Sequence, residues 1–184
     1  EKLGTLLPKF KEISLDEFYH EINHVRNSLI RTDADELTYC FHIIIRYELE
    51  KAIFRDGVSV SELPKMWNDK MQEYLQITPS NDAEGILQDM HWSDGSFGYF
   101  PSYLLGNIYD GMYLEEITKE LGDVDTILRE GRISEITRWL NEKIHQYGST
   151  RLPKEVIEKV CGREVSAQPL IKYFKEKYTE IYNL

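Results

Sequence analysis

Apolar positions in this chain recur at intervals of three and four far more than at intervals of two. Leu15, Phe18, Ile22, Val25 and Leu29 form one such stripe. Ser14-Leu15-Asp16-Glu17 is a capping box, so the spacing predicts an amphipathic helix from about Leu15 to Leu29. The stretch "ADELTYCFHIIIRYELEKAIFRDG" is apolar on most sides through its middle. It predicts a long core helix that stops at Gly57. "GVSVSELP" leaves room for at most a very short strand near Val58-Val60. Ser61 then caps a helix through Ile77, with Pro64 tolerated in its first turn.

The pattern lapses over "TPSNDAEGILQDMHWSDGSFG", which is dense in turn formers. A long loop is expected there, holding no more than a turn of helix. Trp92, Phe97 and Ile86 give it apolar side chains to pack, and long ordered loops in compact domains usually serve a function. Helical spacing resumes after Phe100-Pro101 and runs to Leu121. Further helices are expected around Asp123–Glu130, Ile133–Tyr147 and Lys154–Cys161, with Gly131, Gly148 and Gly162 just past their ends. Pro169 opens a last helix that ends at Tyr182. The expectation is an all-α fold, residues 1–184 forming a single helical unit.

Composition narrows the function. A net charge of −10 argues against general affinity for nucleic acid or an anionic membrane. No apolar run approaches the length of a membrane span, and no signal-peptide pattern opens the chain. Cys40 and Cys161 read as buried or spare thiols, which suits a reducing cytoplasm. The opening "EKLGTLLPKFKEI" lacks a methionine and reads as the middle of a longer protein.

Candidate chemistry appears first in "EFYHEINHVRN", where His20, Glu21 and His24 spell H-E-x-x-H. Two histidines four apart share a helix face and can reach one Zn²⁺. Glu21 would serve as general base on a metal-bound water, and Glu48, 24 residues after His24, would be the third ligand. The neighbours oppose this. A zinc helix needs a dry, apolar surround, whereas Glu17, Asn23, Arg26 and Asn27 flank these histidines, and Arg26 would bring a cation beside the metal. The competing reading is a polar helix surface.

A longer signal lies downstream. "SLIRTDADELTY", "HIIIRYELEK", "GILQDMHWSDGSFGYFPSYLLGNIY" and the end "LIKYFKEKYTEIYNL" together resemble the carboxypeptidase Taq family of zinc metallocarboxypeptidases. "IRTDAD" matches that family's I-R-x-x-A-D motif, and Gly85 to Trp92 matches its G-x-x-Q-D-x-H-W motif. The resemblance runs over nearly the whole chain. It implies the C-terminal part of an elongated helical metallopeptidase with a central groove. In that family the H-E-x-x-H helix and an H-E-S-Q motif precede the segment matched here. The helix around His20 and His24 then aligns with one that binds no metal. On this footing the chain holds no zinc, and zinc belongs to the full-length parent.

The resemblance also suggests roles. A carboxypeptidase must recognise a free α-carboxylate, and an arginine does so through charge-assisted, often bidentate hydrogen bonds. Arg31 is the candidate; its alternative is a structural ion pair with Asp33, Asp35 or Glu36. Hydrolysis builds negative charge on the former carbonyl oxygen, and positioned donors stabilise it. His91 and Tyr103 keep the spacing of a histidine and a tyrosine that close over substrate in related helical zinc peptidases. Tyr103, with Tyr99 beside it, is expected to donate to the tetrahedral intermediate, and His91 to bind the substrate backbone or the scissile carbonyl. Gly95 and Gly98 would let the loop bend, and Asp89 would orient His91. The alternative is that these rings only pack the loop down. His42, Arg46 and Glu50 share a helix face and read as core with an internal ion pair.

The expected function is therefore the C-terminal domain of an enzyme that releases C-terminal residues from peptides. Its partners would be the N-terminal part of the same enzyme and peptide substrates. Alone it would be inactive, and apolar surface left uncovered would favour a homodimer. Two rivals remain open: a complete small zinc peptidase built on His20, Glu21, His24 and Glu48, and a non-catalytic helical interaction module.

Overall fold

The computed structural model describes residues 2–184, and they divide into two compact units, the first ending at Pro101 and the second running from Ser102 to Leu184. The described residues are helical, with no strand among them. The short strand allowed near Val58-Val60 is instead irregular backbone that enters a 3₁₀ turn, Val60–Glu62.

The first unit contains α1 (Lys2–Leu6), α2 (Leu15–Ile22), α3 (Tyr39–Phe54) and α4 (Leu63–Leu75). The capping box opens α2 as expected: Ser14 Oγ accepts from the Glu17 N–H at 3.1 Å, and the Ser14 N–H donates to Glu17 Oε2 at 2.9 Å. The helix stops at Ile22, about two turns before the stripe runs out. Two non-helical partners explain this. The Asn23 side chain donates to the Tyr19 carbonyl at 2.9 Å, and the Arg26 N–H donates to Asp35 across the chain at 2.9 Å. The expected buried stripe is not covered either, since Leu15 is 79% and Ile22 63% exposed.

Asp35 also starts α3, accepting from the Leu37 and Thr38 N–H groups at 3.0 and 2.9 Å and from the Thr38 hydroxyl at 2.9 Å. These bonds supply the orphan donors of a helix N-terminus. Along α3, Ile45 and Leu49 pack with Trp67, Met71 and Leu75 of α4 into a dry core. Ile86 and Trp92 of the following loop rest against that core. The loop 76–100 has no helix, yet Ile86, Trp92 and Phe100 anchor it.

The second unit is built from α5 (Pro101–Leu121), α6 (Val124–Arg129), α7 (Ile133–Lys143), α8 (Pro153–Cys161) and α9 (Gln168–Tyr182). Asp123 caps α6 by accepting the Thr126 N–H at 2.9 Å. Trp139 of α7 is buried and its indole donates to Glu120 of α5 at 2.9 Å. Gly111 lets α5 approach α9: a Cβ there would stand 2.8 Å from the Leu170 backbone nitrogen.

Candidate functional site

The two family-like motifs meet in the first unit, around Asp89. Arg31 follows a short extended stretch and is buried. Its Nε and Nη2 donate to Asp89 Oδ1 at 3.0 and 2.8 Å, and its Nη1 to the Tyr39 hydroxyl at 3.3 Å. Of the nearby acids, Asp35 is committed to the start of α3. Arg46, fully buried on α3, takes the other oxygen: Nε donates to Asp89 Oδ2 at 2.6 Å. Its Nη1 donates to the His42 carbonyl at 2.7 Å.

Gln88 joins the same network with its whole amide. Its Oε1 accepts from the Arg31 N–H and from Arg46 Nη2, both at 2.9 Å. Its Nε2 donates to the carbonyls of Leu29 and Glu84 at 3.0 and 2.9 Å. Two donors and two acceptor positions are thereby filled.

Charge states follow from these contacts. Burial opposes ionisation of Asp89, but the hydrogen bonds and charges of Arg31 and Arg46 outweigh it and hold the carboxyl below the usual carboxylate range. Burial also works against the Arg31 charge, and Asp89 with Tyr39 reverses the effect, leaving its pKa above the ordinary value. Arg46, more deeply buried, is lowered to about 10 and stays charged at neutral pH. Next to them His42 is fully buried, and neither ring nitrogen has a hydrogen-bond partner. The nearby Ser28 backbone favours its charged form only weakly. Burial first, then the Arg46 and Arg31 charges, push its pKa down to about 4.

The loop residues stand around Phe100, which is 1% exposed. His91 lies 4.4 Å from its ring, centroid to centroid, and the Arg31 and Arg46 guanidinium carbons lie 5.7 and 5.3 Å from the same centroid. His91 is half-buried and stacks on Tyr99 at 5.8 Å and 28°; Tyr99 itself is exposed. Asp89 spends both oxygens on arginines, so the expectation that it orients His91 gives way to the arginine bridge. Tyr103 is half-buried on the first turn of α5 and belongs to the second unit.

Glu50 was expected to pair with Arg46. Instead Glu50 Oε1 accepts from the Trp92 indole at 2.8 Å and Oε2 from the Gly98 N–H at 3.0 Å. Arg46 and Glu50, expected to pair with each other, thus serve different partners, and Gln88 and Phe100 are members of the site to which sequence reasoning assigned no role. An arginine within an apolar helix must find a buried carboxylate, and here that carboxylate comes from the loop.

The opening histidine motif does not assemble. His20 lies in the last turn of α2 and His24 beyond its end, and both are exposed. Glu48, the expected third ligand, pairs with Lys70 at 2.8 Å and accepts the Tyr74 hydroxyl at 2.9 Å. No group of three His, Cys, Asp or Glu side chains able to hold a metal ion occurs among the described residues. The residues present therefore do not fit a catalytic zinc.

Known proteins resemble this chain in sequence and fold. Carboxypeptidase 1 of Bacillus subtilis is 49% identical over 96% of this chain and 35% of its own length. Thermostable carboxypeptidase 1 of Thermus thermophilus is 39% identical over 93% of the chain and 34% of its own length. An M32 carboxypeptidase structure from Deinococcus radiodurans R1 superposes with a TM-score of 0.95 at 31% identity, covering 100% of this chain and 37% of that one. The chain thus spans about a third of the length of the relatives it matches. The family model for the carboxypeptidase Taq (M32) metallopeptidases matches residues 1–178, and the chain belongs to that family.

Proposed function

We propose that this chain is the C-terminal part of a metallocarboxypeptidase that releases C-terminal residues from peptides, its zinc being held by the N-terminal part of the same protein. Arg31 recognises the substrate carboxylate. His91 binds the substrate backbone or scissile carbonyl, and Tyr103 and Tyr99 donate hydrogen bonds to the oxygen that gains charge. The chain alone is inactive, because the residues that hold the metal lie outside it. Its two free thiols suit a reducing cytoplasm. The exposed α2 stripe is surface for the rest of the enzyme, and in its absence for a second copy of the chain.

The observation that supports this reading is the pair of guanidinium groups gathered on Asp89. An incoming carboxylate meets a guanidinium whose geometry is already fixed, which lowers the ordering cost of binding.

The test uses the full-length protein with zinc. Peptides with a free C-terminal carboxylate should be trimmed and their amidated counterparts left intact. Arg31→Ala should raise KM by about tenfold or more for the free peptides. Equal cleavage of amidated peptides, or an unchanged KM in the variant, would sink the assignment of Arg31.

A further inference from the structure

Glu50 spends both carboxylate oxygens on one loop. The residue is 6% exposed on α3, and both oxygens are occupied by neutral donors of the loop, the Trp92 indole N–H and the Gly98 backbone N–H. A buried carboxyl group is tolerated only where its oxygens are hydrogen-bonded, and here the loop supplies a donor to each. A glutamine of the same shape would accept one N–H with its oxygen and turn its own NH₂ toward the other.

The two donors close a loop. Trp92 and Gly98 bound the segment 92–98, and His91 and Tyr99 lie immediately outside it, stacked on each other. Within the segment the chain reverses through Gly95 and Gly98, at φ +84° and +75°. Trp92 is further fixed edge-on against Trp67 of α4, with centroids 6.3 Å apart. A single carboxylate on the most buried helix thus ties both ends of the reversal to the core.

We infer that Glu50 is a positioning residue, whose carboxylate clamps the base of the 92–98 loop and so sets His91 and Tyr99 in register for the reaction. The inference rests on the proposed roles of those two residues. Glu50 itself meets no substrate.

The clamp is tested in the zinc-loaded full-length enzyme with Glu50→Gln, and with Trp92→Phe as a second variant that removes one donor and keeps a ring. Glu50→Gln should lower kcat by about tenfold while KM stays within about twofold. Trp92→Phe should act in the same direction and less strongly. In a His91→Ala background, Glu50→Gln should add little, because it acts through the residue already removed. A merely structural defect would instead multiply with His91→Ala, and that result overturns the inference. Hydrogen exchange gives a readout free of catalysis. Amides 92–98 should exchange faster in Glu50→Gln while those of α4 keep their rates; unchanged exchange in the loop also overturns the clamp. Absence of carboxypeptidase activity in the unsubstituted protein sinks the proposed function, and the positioning role with it.

Discussion

Arg31 and Arg46 hold opposite oxygens of one carboxylate, that of Asp89, at 2.8 and 2.6 Å. The bridge joins residues 58 and 43 positions apart in the chain. It brings together the two stretches by which the family is recognised. Arg46 has no access to solvent, so the bridge cannot be exchanged for water without opening the core.

Replacing Asp89 with asparagine should therefore be severe. Both arginines would lose their charge partner while remaining buried, and breaking a buried pair in this way costs about 3–5 kcal/mol. Urea unfolding of Asp89→Asn should show that loss. A change under about 1 kcal/mol would mean that water reaches the guanidinium groups.

Acid should weaken the fold in two stages. His42 has a folded pKa depressed to about 4 from an ordinary 6.5, so the unfolded chain binds the extra proton first. Stability is then lost as pH falls from about 6.5 to about 4, by about 3 kcal/mol at most. Asp89, held below the usual carboxylate range, contributes stability that is present at neutral pH and disappears only at still lower pH. Urea midpoints followed against pH should fall through the first window in the natural chain. His42→Leu should remain flat there until the carboxylates titrate.

Gly111→Ala should destabilise the second unit. A new Cβ would sit 2.8 Å from the Leu170 nitrogen and 3.0 Å from its Cα, and backbone atoms do not swing aside. The expected cost is about 1–3 kcal/mol, larger than the roughly 1 kcal/mol of helix propensity that alanine adds. Thermal unfolding of the variant decides the sign.

Zinc should not stay with this chain. After loading and desalting, no tightly bound metal is expected, and chelator should leave the melting temperature where it was. His20→Ala combined with His24→Ala should change neither result. One zinc retained per chain and lost in the double variant would restore the complete-peptidase reading.

Local signals in the sequence were dependable where the determining partners are local. The capping box at Ser14, the left-handed Gly131 and Gly162 and the proline at Pro169 each mark a boundary that the structure keeps. The early end of α2 was not legible, because Asp35 and the Asn23 side chain cause it and helical periodicity carries no trace of either. Arg31 presents the same difficulty. Three acids stand within five residues of it, yet its partner is Asp89. Sequence proximity favours the near acids, whereas the fold assigns Asp35 to a helix start. The aromatic cluster was half visible: His91 and Tyr99 stood out by motif, while Phe100, on which the arginines and His91 converge, looked like an ordinary apolar residue before a proline.

Gln88 has a consequence for how such a site can change. Its amide reaches the backbone at Leu29 and Glu84, the amide of Arg31 and the guanidinium of Arg46, leaving no capacity in reserve. A substitution that removes any one of these partners leaves a Gln88 donor or acceptor unpaired. One side chain thus ties together the stretch before α3, the helix itself and the loop after α4. A protein engineer who grafts either motif into another scaffold would need to carry both, together with the arginine on the helix between them.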